Sequence, residues 1–284
     1  MRRAAGSIAA RGARAASTAS TTSTSSIFRD SAANKTGLAY ALDGTMRSGA
    51  HDMKVFGAGA LAALASRRNA LAFFQGHRHV YSTMEGHLDA AAQSHNDPTG
   101  ALWRRVRSLR RGEALERDVA ELGGSLAEAP SPATQRYVDQ LDAAAASPLP
   151  LLISHFYVRY FADLFGGSML GKPTRAALNT CSGVQFSGTP AFYVHDAAVT
   201  TDRRAYIEDL YRSVNAAGEA AHLDAAGTKA LVTEAEVAFA LNAELYREAA
   251  PAGTGLAGLF GLAIVGGARV AGGLAMQSIS RAPV

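Results

Sequence analysis

Residues 152–167 read LISHFYVRYFADLFGG. The run has a helical pattern, carries Tyr157, Arg159 and Asp163, and closes on the paired glycines Gly166 and Gly167. Paired glycines inside an amphipathic helix weaken it, because each loosens the backbone and leaves nothing to pack. A chain keeps such a pair where something large must lie against the backbone, and helices bend there. The expectation is a bent helix lying over a flat, bulky ligand. The alternative is a helix that ends at Gly166 in ordinary turn glycines.

Working outward from that run, residues 37–250 read as helix throughout. Ala/Leu-rich 55–65 is one candidate, and 69–92 is a longer one, with Leu71, Phe74, Val80, Met84 and Leu88 near helical spacing. A turn follows at 96–100. Residues 101–122 read as the next helix, with Gly112 as a weak point inside it and Gly123-Gly124 closing it. Pro130 and Pro132 break the chain before a helix over 133–145. Residues 171–202 are the least helical part, and Phe192-Tyr193-Val194 alone has the look of a strand. Asp202 and Asp224 stand where N-caps of two more helices belong, one reaching Asn215 or so and one ending by Ala250. The last buries Leu231, Ala235, Phe239, Asn242 and Leu245 on one side. The fold class expected is all-α, with a single helical domain over 31–250.

The two ends differ from this middle. The chain has 284 residues and a formal net charge of +4. Residues 1–30 hold Arg2, Arg3, Arg11, Arg14 and Arg29 against the single acid Asp30, so the remainder is near neutral. A basic, Ala/Ser/Thr-rich segment without a long apolar core has the composition of an organelle transit peptide. The Ser/Thr run at 17–26 favours plastid over mitochondrion. With the segment set aside, no basic patch argues for nucleic acid. Residues 251–268 carry no charge, and after Arg269 residues 270–279 carry none again. Glycine dilutes this tail, which offers either a membrane anchor or a surface-lying extension; a span needs about 20 predominantly apolar residues.

Several chemistries are excluded. The single cysteine, Cys181, allows neither a disulfide framework nor a cysteine zinc site. There is no HExxH, no GxSxG and no glycine-rich nucleotide loop. Paired Glu-x-x-His motifs of a di-iron bundle are missing as well. His77 and His79 are two apart, so on a helix they face different ways and make a poor metal pair.

Four segments, in order, resemble the heme oxygenase family. The strongest is His155-Phe-Tyr-Val-Arg-Tyr-Phe-Ala-Asp-Leu-Phe-Gly-Gly167, beside the family's Ala-Tyr-Thr-Arg-Tyr-Leu-Gly-Asp-Leu-Ser-Gly-Gly. The others are His79-Val-Tyr81 with Met84-Glu85, then Leu210-Tyr-Arg-Ser213, and Glu234-Ala-Glu-Val-Ala-Phe-Ala-Leu-Asn242. Gly188-Thr-Pro-Ala-Phe-Tyr193 also falls where a Gly-Leu-Ala-Phe-type segment belongs. Together they run from His79 to Asn242.

The resemblance implies a multi-helical fold holding heme between a proximal and a distal helix. Heme would be both substrate and cofactor, with no separate metal site. It implies His51, in Thr45-Met-Arg-Ser-Gly-Ala-His51, as the axial iron ligand. It implies Asp163, Arg159 and Tyr81 as the catalytic group that orders water beside bound dioxygen. Gly166 and Gly167 would admit the heme to the helix. Tyr157 and Arg212 would serve the propionate edge, and Phe239 and Asn242 would complete the binding site. Four positions depart from the family pattern. Val55 stands where an acid follows the histidine. Ala162 replaces glycine and Phe165 replaces serine on the distal helix. Glu208 replaces a lysine, and a carboxylate facing a propionate would repel it. The implied activity is opening of heme to biliverdin, iron and carbon monoxide with dioxygen and electrons from ferredoxin or a flavoprotein reductase. The rival reading is a non-catalytic heme-binding or scaffolding protein on the same fold.

Overall fold

The computed structural model describes residues 31–47, 66–181 and 186–249. Every described element is helical, as the composition implies. A short 3-10 turn at Ala33–Lys35 leads into α1 (Gly37–Arg47). The long α2 (Arg67–Ala92) follows, then α3 (Pro98–Val106), α4 (Gly112–Glu121) and α5 (Pro132–Ala146). Next come α6 (Leu152–Ala162), a π-helical turn (Asp163–Gly167) and α7 (Ser168–Cys181). The described residues close on α8 (Arg203–Ala220) and α9 (Ala225–Ala249).

Side-chain caps fix four of these starts. Ser66 accepts from Asn69 N at 3.1 Å, and Asp97 from Gly100 N at 3.0 Å. Ser131 accepts from Thr134 N at 3.3 Å, and Asp202 from Ala205 N at 3.0 Å. Each satisfies an N–H that the helix cannot bond internally. Pro98 and Pro132 sit in the first turn, where a missing N–H is harmless.

α2 and α9 form the centre. α2 packs on α3, α4, α5 and α9, while α9 also packs on α1, α5 and α6. α8 lies across α1 and α3. Between them, α6 is enclosed on every side, and residues 152–161 are all buried. That explains its nearly continuous apolar sequence, since a helix hydrophobic all round is an interior helix.

Four expectations are corrected. Residues 101–122 are not one helix. α3 ends at Val106, a 3-10 turn covers Arg107–Leu109, and α4 starts at Gly112. The break is made by Glu85 of α2, whose carboxylate accepts from Arg111 N at 2.6 Å and from Gly112 N at 3.3 Å. A buried carboxylate thus supplies the cap that no local residue provides. Residues 171–202 are more helical than expected, because α7 runs on through Pro173 to Cys181. Phe192-Tyr193-Val194 is no strand: Ala191–Tyr193 form a 3-10 turn. Asp118 of α4 holds that turn by accepting from Ala191 N at 2.6 Å and Phe192 N at 2.8 Å. α8 also outruns its expected end at Asn215 and continues to Ala220.

Candidate functional site

The run at 152–167 neither stops at Gly166 nor continues as a plain α-helix. α6 passes into the five-residue π turn at Asp163–Gly167, which passes directly into α7. A π turn widens the backbone by one residue per hydrogen-bonded loop and is frequent at functional sites. Arg203, the first residue of α8, donates from its guanidinium to the Leu164 carbonyl within the turn.

Asp163 is the first residue of the turn, and its side chain is buried. Oδ2 accepts a hydrogen bond from the Tyr81 hydroxyl of α2. Arg159, one helical turn earlier on α6, donates from Nε to the same hydroxyl at 3.3 Å. Its Nη1 donates to Asn242 Oδ1 of α9 at 2.5 Å. The guanidinium carbon lies 4.9 Å from the Tyr81 ring centroid, close enough for cation–π attraction. Tyr246, four residues beyond Asn242, also hydrogen-bonds Arg159. Three helices therefore converge on one buried polar cluster.

The charges in it are coupled. Burial pushes the Asp163 carboxyl up to about 6, against the opposing pull of Arg159 and the Tyr81 hydrogen bond. Burial also opposes the Arg159 charge, but Tyr81 and Asp163 outweigh it and hold its pKa above the usual range. The cluster accordingly holds a fixed cation beside a carboxyl that changes protonation near neutrality. Such a group can order water and pass a proton without dissolving its own scaffold.

The structure brings together Tyr81, Arg159, Asp163 and Asn242 of the expected site. Phe239 is buried on α9, one turn before Asn242. Tyr157 is buried and stacked on Phe161, ring centroids 4.3 Å apart, and no group among the described residues reaches its hydroxyl. Gly166 and Gly167 close the π turn. Arg212 stands apart from the cluster on α8, with its side chain 63% exposed and Nη2 3.2 Å from Glu208. His51 and Val55 lie outside the described residues.

Two departures acquire a definite setting. Glu208 accepts from Ser31 Oγ at 2.5 Å and from Ala33 N at 3.2 Å. Its carboxylate ties the first 3-10 turn to α8 and pairs with Arg212 at 3.2 Å. Phe165 packs toward α8, its ring 6.0 Å from Phe161 and 6.5 Å from Tyr211. Ala162 is partly exposed.

Sequence reasoning missed Tyr246 and Arg203. The i, i+4 spacing from Asn242 could have flagged Tyr246; nothing local could have flagged Arg203. His155 and Glu234, noted only as parts of matching segments, form a buried pair at 2.7 Å that Gln140 joins at 2.8 Å.

The heme oxygenase family model matches residues 50–248. Among curated proteins, heme oxygenase 2 of Synechocystis sp. is 39% identical over 119 residues, 42% of this chain and 45% of that protein. Heme oxygenase 1 of Gallus gallus is 33% identical over 173 residues, 59% of this chain and 53% of that protein. The chain thus spans about half the length of the curated relatives it matches. Among solved structures, heme oxygenase-2 from Synechocystis in complex with heme and NO superposes with a TM-score of 0.61 at 27% identity, over 75% of this chain and 85% of that one. Heme oxygenase-1 from Synechocystis in complex with heme gives 0.59 at 26% identity, over 84% and 98%.

Proposed function

Because this chain belongs to the heme oxygenase family, we propose that it binds heme against the π turn of the distal helix and opens the ring to biliverdin, ferrous iron and carbon monoxide. The observation that carries the reading is the buried cluster of Asp163, Tyr81, Arg159 and Asn242. A charged group of that kind, deep in an aromatic interior, is costly unless it is used or fully paired.

The residues fit a porphyrin. Tyr157 has a buried hydroxyl that no described group reaches, ready for an acid at the heme edge. Arg212 presents an exposed guanidinium suited to a propionate. When bound, heme supplies the iron, the ring to be cut and the affinity for dioxygen, and external electrons drive the reaction. The protein supplies position and protons. Asp163 receives and returns a proton near neutral pH, while Tyr81 fixes the direction in which its carboxyl faces. Arg159 holds the cluster's charge, and Asn242 anchors Arg159. His51 is the proposed axial ligand. The electron donor is proposed to be ferredoxin or a flavoprotein reductase. Residues 1–30 are proposed to direct the chain to a plastid in preference to a mitochondrion, and 251–284 to mediate any membrane association.

The test adds hemin to the purified chain, follows the Soret band, then supplies reductant and oxygen and watches for biliverdin. Heme binding followed by biliverdin supports the enzyme. Stable ferrous heme would favour the non-catalytic heme-binding reading, and no Soret change a scaffold.

A further inference from the structure

An open cleft of about 530 Å³ lies at the start of α6, the end away from the π turn. The C-terminal ends of three helices form its walls: α2 at Ala91, α5 at Ala145, and α8 at Ala220 with the following Ala221. Asp97, at the start of α3, faces the same space. Among the described residues, no lysine or arginine lines it. His87, which does, has Nε2 on Asp142 Oδ1 at 2.6 Å.

A helix leaves its last carbonyls without an internal partner, and its C-terminal end carries a partial negative charge. After α5 the sequence withholds the usual replacements. Pro148 and Pro150 have no N–H. The remaining donors are spent elsewhere: Ser147 N on Ala144 O at 3.4 Å, Leu149 N on Ser147 Oγ at 3.1 Å and Leu151 N on Leu149 O at 2.7 Å. The Ala145 carbonyl receives none of them. After α8, the N–H groups of Ala221, His222 and Leu223 return to Ala217, Glu219 and Gly218. The carbonyls of Ala220 and Ala221 receive none of these. α2 differs, because Arg104 donates to Ala92 O at 2.7 Å and Ser94 O at 2.9 Å. One of the three ends thus has a cation of its own, and the other two face the cleft without one. The helix starts at the cleft add few donors. Pro98 has no N–H, and Asp97 Oδ1 accepts from Gly100 N at 3.0 Å, which leaves Oδ2 for a ligand.

We propose that this cleft binds an organic ammonium ion of the alkyl diamine class. Its nitrogens donate to the carbonyls that end α5 and α8 and to Asp97, and its methylenes lie on the alanine, proline and leucine side chains of the lining. An ammonium brings three donors and a compact charge, which suits acceptors spread over several chain segments. The volume is that of a small-ligand site. A divalent metal fits less well, since it calls for several carboxylate or imidazole ligands. Among the described residues no group of three such side chains could hold one. No member of the Asp163 cluster lines the cleft, so the site is separate from the one assigned to heme.

The test uses the full chain without heme, which keeps it apart from the functional reading above. Diaminobutane is titrated against the chain and the backbone amides are followed by NMR, with butanediol as the uncharged twin. The diamine should shift the amides of residues 145–149 and 220–223 saturably, and the diol should not. Asp97→Asn keeps the helix cap and should weaken diamine binding by about three- to fivefold, the effect of one exposed charge. Ala221→Lys sets a tethered ammonium in the cleft. It should abolish the diamine response and melt at a higher temperature than Ala221→Met, which adds a stem without the charge. The absence of a saturable shift overturns the proposal, as does an equal response to the diol. Magnesium binding at the same amides more tightly than the diamine would overturn the ligand class. A Lys variant that still binds diamine as the parent does would place the ligand elsewhere and overturn the site.

Discussion

Asp163 joins the most constraints at the scale of a single residue. Its carboxyl is raised to about 6 by burial, whereas in the unfolded chain it sits at the ordinary 3.8. Its contribution to stability is therefore full below 3.8 and is lost as pH rises through about 6. The swing is on the order of 3 kcal/mol. His77 acts oppositely, because its lowered pKa penalises the fold as pH falls below 6.5. The two partly cancel in the parent, so the informative quantity is a difference. Urea unfolding of parent and Asp163→Asn at pH 4 to 7 should show the parent gaining on the variant as the solution is acidified. A constant difference would mean that Asp163 ionises as freely as an exposed acid. The same variant should bind heme normally and make biliverdin at least ~100-fold more slowly, the usual scale for loss of a proton-transferring side chain; single-turnover absorbance measures it. At the edge, Arg212→Ala should weaken heme affinity by roughly 1.5–3 kcal/mol, the worth of a charge-assisted bond, read by fluorescence quenching. Glu208→Lys should release Ser31 and Ala33 from α8 as well, so its affinity gain should be accompanied by lower stability in urea.

At the scale of elements, close approach of helices decides what substitution each glycine tolerates. α3 meets the C-terminal end of α2 so closely that a Cβ on Gly100 would lie 2.2 Å from the Ala91 carbonyl oxygen. Gly100→Ala should destabilise the fold by about 1–3 kcal/mol or more, since backbone must move. Gly86, on the exposed side of α2, has nothing within 4 Å of such a Cβ. Gly86→Ala should stabilise by about 0.5–1 kcal/mol through helix propensity alone. Thermal melts of the two variants check both. The pair also marks the limit of what was legible beforehand. α2 and α9 could be read because their apolar spacing repeats over many turns. Tyr81, Arg159, Asp163 and Asn242 could be read because their motifs are local. The split between α3 and α4 could not, because its cause is Glu85, 26 residues upstream. The fate of Phe165 likewise depended on Tyr211 of α8, a contact that no sequence spacing encodes.

On the scale of the whole molecule, the described residues account for the fold and leave the ends to separate tests. Residues 251–284 are Gly-rich and lie outside the described residues. Their deletion should leave the helical circular-dichroism signal and its melting temperature unchanged; a large drop would make the tail part of the domain. Residues 1–30 fused to a reporter should carry it into an organelle and be cleaved, and a full-length cytosolic reporter would contradict that. The π turn, finally, is a place where the chain has one residue more than a regular helix requires. Removing a residue from the middle of α5 would rotate everything after it by about 100°. Removing Phe165 from the π turn should instead let α6 run straight into α7 with its docking preserved, because a π turn absorbs its extra residue locally. Such a shortened chain should keep its fold, read by circular dichroism, and lose the widened backbone at Asp163–Gly167. The length of the chain at this point, and not only its chemistry, then shapes the backbone beside Asp163.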